Sequence, residues 1–240
     1  MKRIACIGTR ELGDATVLLE AIGAYLVRAG YTVSTGNAIG SDQAFARGGN
    51  SVDPKRVELW LPWASYERAA VVKGNIVHTG PTVDDVELAK KLHPAWGRCS
   101  AGARTLHARN CQIVRGCTLV IALPRRDCPG GTGQGMRIAE HLGIPVHNLR
   151  IGADFGRIVA KLREAGYEDF HDDFVDEWVS RRLTNREDTQ ELYTKLGRRS
   201  QTDELVTVVK GEVQLTRTPG KEGFFTSVSN PTVAGTIQHP

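Results

Sequence analysis

Residues 118–123, TLVIAL, form a continuous apolar run, long enough for a buried strand and too short for a helix that stands alone. A few residues on comes Pro129-Gly130-Gly131-Thr132-Gly133-Gln134-Gly135, after which Met136, Ile138, Ala139 and Leu142 recur at helical spacing. Strand, glycine-rich loop and helix in that order point to an α/β architecture. The order also suits anion binding, because glycines permit close backbone approach and the first free N–H groups of the helix point at the loop. A phosphate held in this way needs no lysine. The plainer reading, a tight turn between strand and helix, stands beside it.

The same order occurs near the start of the chain. Residues 3–8 read as a first buried strand and residues 9–13 as the turn after it. Leu18, Leu19, Ile22, Leu26 and Val27 then make an apolar helical stripe closed by Gly30. Residues 31–34 read as a second strand, followed by Thr35-Gly36-Asn37-Ala38-Ile39-Gly40-Ser41-Asp42 and a short helix over 43–47. Strand, helix and strand in this compass make a βαβ unit with parallel strands. Both glycine loops then fall at the carboxyl edge of one sheet and form a crevice, with Gly8, Thr9 and Arg10 at the same edge. The first loop is not GxGxxG, and no acidic residue follows the second strand to hold a ribose, so the dinucleotide fingerprint is absent and no cofactor is expected.

A third strand is expected over 57–61, with Trp63 and Tyr66 just beyond its end, and a helix over 83–92 after a polar stretch. The connector HPAWGRCSAGARTLHARN follows and carries His93, Trp96, Arg98, Arg104, His107 and Arg109. Basic and aromatic residues ahead of a central strand are suited to clamp a phosphate or stack a base. The alternative is a solvated helix whose Trp96 packs on the core.

A chain of 240 residues has room for one domain of roughly 150 residues and a smaller piece. No apolar run approaches the ~18 residues of a membrane span, and MKRIACIG enters a strand without a secretory apolar region, so a soluble cytoplasmic protein without a membrane partner is expected. The net charge of +4 permits a polyanionic partner without demanding one. Five cysteines, odd in number and without the paired close spacing of a zinc site, are expected as reduced thiols, and no metal site is expected. Cys6 and Cys117 read as core residues, while Cys128 borders the glycine loop.

Taken together, IACIGTRELG, GYTVSTGNAIGSDQAF, LHARNCQIVRGCTLVIAL and GGTGQGMRIAEHLGIPV resemble the SLOG superfamily of Rossmann-like proteins. That superfamily includes the DNA-processing protein A (DprA/Smf) family and the cytokinin-activating LOG phosphoribohydrolases. The wording HPAW, HARN and GGTGQ resembles more narrowly a SLOG-like group common in tailed bacteriophages and bacteria, which brings a fold and no established activity. The resemblance covers roughly the first 150 residues. Gly36, Ala38, Gly40 and Asp42 match the DprA loop, and Arg109-Asn110 matches that family's arginine-asparagine pair, but Ala46 stands where its histidine is usual and its DNA-binding segment is not recognisable. Pro129, Gly130, Gly131 and Gly133 match the LOG motif PGGxGTxxE. Gln134 replaces its threonine, Arg137 stands at the catalytic glutamate, and Glu140 lies three residues later.

The resemblance implies ligand binding by Gly8, Thr9, Arg10, Gly36, Asn37, Gly40, Ser41, Asp42, Arg109, Asn110, Gly130, Gly131, Thr132, Gly133 and Gln134, with Glu140 and Asp42 as the candidate catalytic carboxylates. The fold class that follows is α/β, a Rossmann-like parallel sheet with helices on both faces and a small C-terminal helical and β extension. Residues 1–150 are expected as the nucleotide-binding domain, 151–184 as closing helices built on Phe155, Ile158, Val159 and Leu162 and on Phe170, Phe174, Trp178, Val179 and Leu183. Residues 185–240 are expected as a charged helix and a β-hairpin arm that supports a homo-oligomer.

Two function classes remain open. One is a protein for a nucleotide or ribose phosphate, with or without N-glycosidic hydrolase or transferase activity, in which Arg109 or Arg137 pairs with phosphate and Asp42 or Glu140 handles the ribose. The other is a DprA-like module for single-stranded nucleic acid, with Arg98, Arg104 and Arg109 along the backbone and Trp96 or Tyr66 stacking a base.

Overall fold

The computed structural model describes residues 2–126 and 130–183, residues 192, 193 and 196, and the backbone of 205–209 and 212–216. Six parallel strands form one sheet in the order β4-β3-β2-β1-β5-β6: β1 (Arg3–Gly8), β2 (Thr32–Thr35), β3 (Val57–Leu61), β4 (Ile76–Thr79), β5 (Leu119–Leu123) and β6 (Val146–Asn148). The strand order grows to one side of β1 through β2 to β4 and to the other through β5 and β6, so the order in which strands are added reverses between β1 and β5. The fold is Rossmann-like α/β.

Side-chain alternation along the two central strands feeds two cores. Ile4 and Cys6 of β1, with Ile121 and Leu123 of β5, enter a core shared with α1 (Thr16–Arg28), α2 (Ser41–Asn50), α6 (Gly152–Glu164) and α7 (Asp172–Arg182). Ala5 and Ile7, with Val120 and Ala122, enter the other, shared with α3 (Val83–Leu92), α4 (Ala101–Val114) and α5 (Gly130–His141). Phe155 and Trp178 stack in the first core with ring centroids 4.9 Å apart, and the Trp178 indole donates to the carbonyl of Leu149. The apolar stripes over 155–162 and 170–183 thus pack on the same side of the sheet as α1.

Several elements differ from the sequence expectation. β4 and β6 lie at the two edges of the sheet, and no residue of either is fully buried. Edge strands of three and four residues need no apolar run, which is why the polar stretch before α3 conceals one. α2 runs on to Asn50 through Gly48 and Gly49, because a side chain at Gly48 would strike the backbone of Glu20 on α1 and the two helices pack through that glycine. The run expected as a glycine loop over 130–135 is the opening of α5. Glycine in a helix interior costs roughly 0.8–1 kcal/mol relative to alanine, and close packing overrides it: a Cβ at Gly135 would stand 2.7 Å from Cδ1 of Ile7.

The backbone of β7 (Leu205–Val209) pairs antiparallel with β8 (Glu212–Thr216), the hairpin expected from the sequence. Most of the charged helix expected after residue 184, residues 217–240 of the expected arm and Cys128 lie outside the described residues. Among the described residues no helix is long and apolar enough to cross a membrane.

Candidate functional site

All six strands of the main sheet are parallel, so the segments after β1, β2 and β5 emerge at the same carboxyl edge, and the reversal of strand order between β1 and β5 opens a crevice there. The crevice has a volume of about 380 Å³, within the range of small-molecule sites. Gly8, Thr9 and Arg10 line it from the end of β1, Ala38 and Asp42 from the β2 side, Arg109 and Asn110 from α4, and Gly130, Gly131 and Thr132 from the first turn of α5.

The segments are locked to one another by short polar contacts. The amide of Thr9 donates to the carbonyl of Leu123 at 2.8 Å, and the Ser41 hydroxyl donates to the carbonyl of Thr9 at 2.8 Å. Gly40 has φ +98°, and a Cβ there would stand 2.6 Å from the backbone of Arg10. The Asn110 side chain donates to the carbonyl of Gly131 at 3.0 Å and fixes α4 against the start of α5.

Arg109 and Asp42 face each other inside this frame. Arg109 is 3% exposed and Asp42 6%. Arg109 Nη1 lies 3.7 Å from Asp42 Oδ2, an ion pair too long for a hydrogen bond, and among the described residues neither Nη1 nor Nε of Arg109 has a hydrogen-bond partner. The guanidinium also sits over the Tyr66 ring, 5.7 Å from its centroid. Burial pushes the Asp42 carboxyl up, opposed by Arg109 and by the amide of Ala38, which donates to it at 3.3 Å. Burial likewise pulls Arg109 down, opposed first by Asp42. A guanidinium stays protonated in proteins, so the two form an ion pair.

The expected ligand-binding residues divide into three groups. Gly8, Thr9, Arg10, Asp42, Arg109, Asn110, Gly130, Gly131 and Thr132 line the crevice together. Gly36, Asn37, Gly40 and Ser41 shape its frame without lining it. Asn37 is fully buried with φ +58°, and its side chain donates to the carbonyl of Glu67 at 2.9 Å. Gly133 and Gln134 are buried, and Gln134 donates to the carbonyl of Ala89 at 3.2 Å, so its amide serves the packing of α5 on α3.

The remaining candidate, Glu140, is exposed near the end of α5 and does not line the crevice. Ten residues of helix separate it from Gly130, roughly 15 Å of rise. Arg137 donates to the Gln134 side chain at 2.8 Å and also stands off the crevice lining.

His93, Cys99 and His107 form a grouping that the sequence does not announce, with ligating atoms that all lie within 4.8 Å of one another. Their separations of six and eight positions match no paired metal motif, and only the fold of 93–107 brings them together. His107 lines the crevice, and burial, followed by the charges of His93, Arg137 and Arg109, pushes its imidazole down to about 4.

No family model matches the sequence, and no curated protein matches it. Among solved structures, the X-ray structure of TM1055, a structural genomics target, superposes with a TM-score of 0.41 and 17% identity, covering 61% of this chain and 72% of that one.

Proposed function

We propose that the crevice binds a nucleotide or a ribose phosphate and that the chain belongs with the SLOG proteins its motifs resemble. The observation that carries this reading is Arg109: a charge almost wholly buried at a crevice wall, with two N–H-bearing atoms that no atom of the described residues satisfies. Leaving buried donors unpaired is costly, and an anionic oxygen is the acceptor that repays it best. The start of α5 lines the same crevice, and the free N–H groups and dipole of a helix terminus attract the same charge. Arg10 and Arg125 add positive charge at the rim. The volume is of the order a mononucleotide requires and is too small for a structured polymer.

The reading is binding without N-glycosidic cleavage. An oxocarbenium-like centre needs a carboxylate beside it. Of the two candidate carboxylates, Glu140 stands off the crevice, and Asp42 is committed to Arg109.

Equilibrium dialysis of the full chain against nucleoside 5′-monophosphates and the matching nucleosides tests the proposal. The monophosphate is expected to bind and the nucleoside to bind at least about tenfold more weakly, the loss of a charged hydrogen bond. Equal affinity for the two, or binding of neither, overturns it.

A further inference from the structure

We propose that His93, Cys99 and His107 form a three-ligand site for a divalent transition metal of the zinc class, at the wall of the crevice. This inference stands on those three side chains and does not depend on what the crevice binds.

Three separate pieces of structure bring the ligands together. His93 ends α3, its amide donating to the carbonyl of Ala89. The chain then folds back through a single 3-10 turn, Trp96–Arg98, which returns Cys99 to the histidine it has just left. Cys99 is followed at once by Ser100, whose hydroxyl caps α4 by accepting from the amide of Ala103 at 3.3 Å. His107 lies two turns into that helix. Arg104 donates to the carbonyls of Trp96 and Gly97, each at 3.3 Å, and so fastens the turn to α4.

The distances are near those a metal requires. Zinc with Zn–S of ~2.3 Å and Zn–N of ~2.0–2.1 Å in tetrahedral geometry puts S and N about 3.6 Å apart. Cys99 Sγ stands 3.9 Å from each ring nitrogen of His93, and the His93 and His107 rings are 4.2 Å apart between centroids. Closing the site therefore takes a few tenths of an ångström at the sulfur and a turn of the imidazoles. Nδ1 of His107 is buried and has no hydrogen-bond partner among the described residues, and a metal would engage it. The set of two imidazoles and one thiolate suits zinc, and three protein ligands leave a fourth position free. His107 borders the crevice, so that position is open to water or to an oxygen of a bound ligand.

Binding has a definite proton balance. The Cys99 thiol, now directed at the carbonyl of Ala95 at 3.5 Å, releases its proton to solvent and ligates as the thiolate. The amide of Ala95 donates to Nδ1 of His93 at 3.1 Å, so ligation through that nitrogen exchanges this hydrogen bond for a metal bond on the same lone pair. Metal and thiolate together carry one net positive charge, and the charge of Arg137 acts on both histidines. Arg137 therefore opposes the metal and weakens the site.

Cobalt(II) titration of the chelator-treated full chain is the test, read by absorption. One cobalt per chain is expected, with visible bands of tetrahedral geometry, a thiolate-to-cobalt charge-transfer band in the near ultraviolet, and displacement by zinc. Cys99→Ser should abolish the charge-transfer band, and His107→Ala should weaken binding by about tenfold or more, with folding of each metal-free variant checked by circular dichroism. Arg137→Gln leaves all three ligands in place and should tighten cobalt binding. Absence of a charge-transfer band in the parent chain overturns the site, as does a band that survives Cys99→Ser. Unchanged affinity in both His107→Ala and Arg137→Gln overturns it as well.

Discussion

The guanidinium of Arg109 occupies the space that a side chain at position 36 would need: a Cβ on Gly36 would coincide with Nη1 of Arg109 and stand 2.8 Å from Oδ2 of Asp42. The glycine after β2 is thus a condition for burying the ion pair, and the loop, the acid and the arginine form one device. Gly36→Ala should push the guanidinium out of place. Its affinity for a nucleoside 5′-monophosphate is expected to fall to the level of Arg109→Ala, a loss of more than about tenfold, measured by calorimetry. Retention of parental affinity in Gly36→Ala would show that Arg109 does not hold the ligand.

The ion pair also makes a prediction about stability. Removing one partner of a buried pair leaves the other charge uncompensated and costs about 3–5 kcal/mol. Asp42→Ala and Arg109→Ala should each fall in that range in urea unfolding. The double variant should be less destabilised than the sum of the two, by roughly 0.5–3 kcal/mol, because no lone charge remains. Strict additivity would mean that the 3.7 Å separation carries no coupling.

Much of this arrangement was legible in the sequence, for identifiable reasons. The runs that became β1, β3 and β5 lie inside the sheet, are buried on most positions and are mostly apolar, while β2, TVST, is legible from its β-branched residues after the helix closed by Gly30. Gly36 and Asp42 fell in a motif-like stretch after a strand, where a parallel sheet gathers its loops, and Arg109 in the HARN stretch of the helix ahead of β5. β4 and β6 were silent because edge strands carry little apolar signal. The opening of α5 read as a loop because local propensity opposes helix at Gly130 to Gly135, and only packing against residues such as Ile7 reveals the benefit. The grouping of His93, Cys99 and His107 depends on one 3-10 turn, which no spacing rule encodes.

The closing helix is predicted to be integral to the core. Trp178 is 2% exposed, stacks on Phe155 and donates to the carbonyl of Leu149. Trp178→Ala removes a large buried ring and leaves that carbonyl without its donor, so a loss of about 3–5 kcal/mol is expected. The measurement is urea unfolding of the full chain. A loss below about 1 kcal/mol would show that α7 packs as an appendage.

Glu140 supplies a chemical prediction. Exposed and roughly 15 Å of helix rise from Gly130, it has no route to a ligand at the start of α5. Glu140→Gln should leave monophosphate affinity unchanged. Parent and variant should both release no free base from nucleoside monophosphates, followed by chromatography. Turnover on the order of 1 per second in the parent, abolished by Glu140→Gln, would restore the hydrolase reading.

The last prediction separates a small nucleotide from a single strand of nucleic acid by salt. A protein that follows a strand displaces counterions at each neutralised phosphate, and affinity falls with salt to a power of about −0.7 per contact. Raising salt from 50 to 200 mM then costs about threefold for one contact and about fiftyfold for four. The basic residues of the connector do not form a track of four. Arg109 is buried in the crevice wall and faces the crevice rather than the outer surface of the connector, and Arg104 is spent on the carbonyls of Trp96 and Gly97 with its guanidinium over the Trp96 ring, 5.8 Å from the centroid. Binding of a nucleoside 5′-monophosphate should therefore weaken by only a fewfold across that range, in dialysis repeated at both salts. A labelled single-stranded oligonucleotide should bind no more tightly than the mononucleotide. Tight oligonucleotide binding that falls about fiftyfold over the same range would instead assign the basic connector to a nucleic-acid surface.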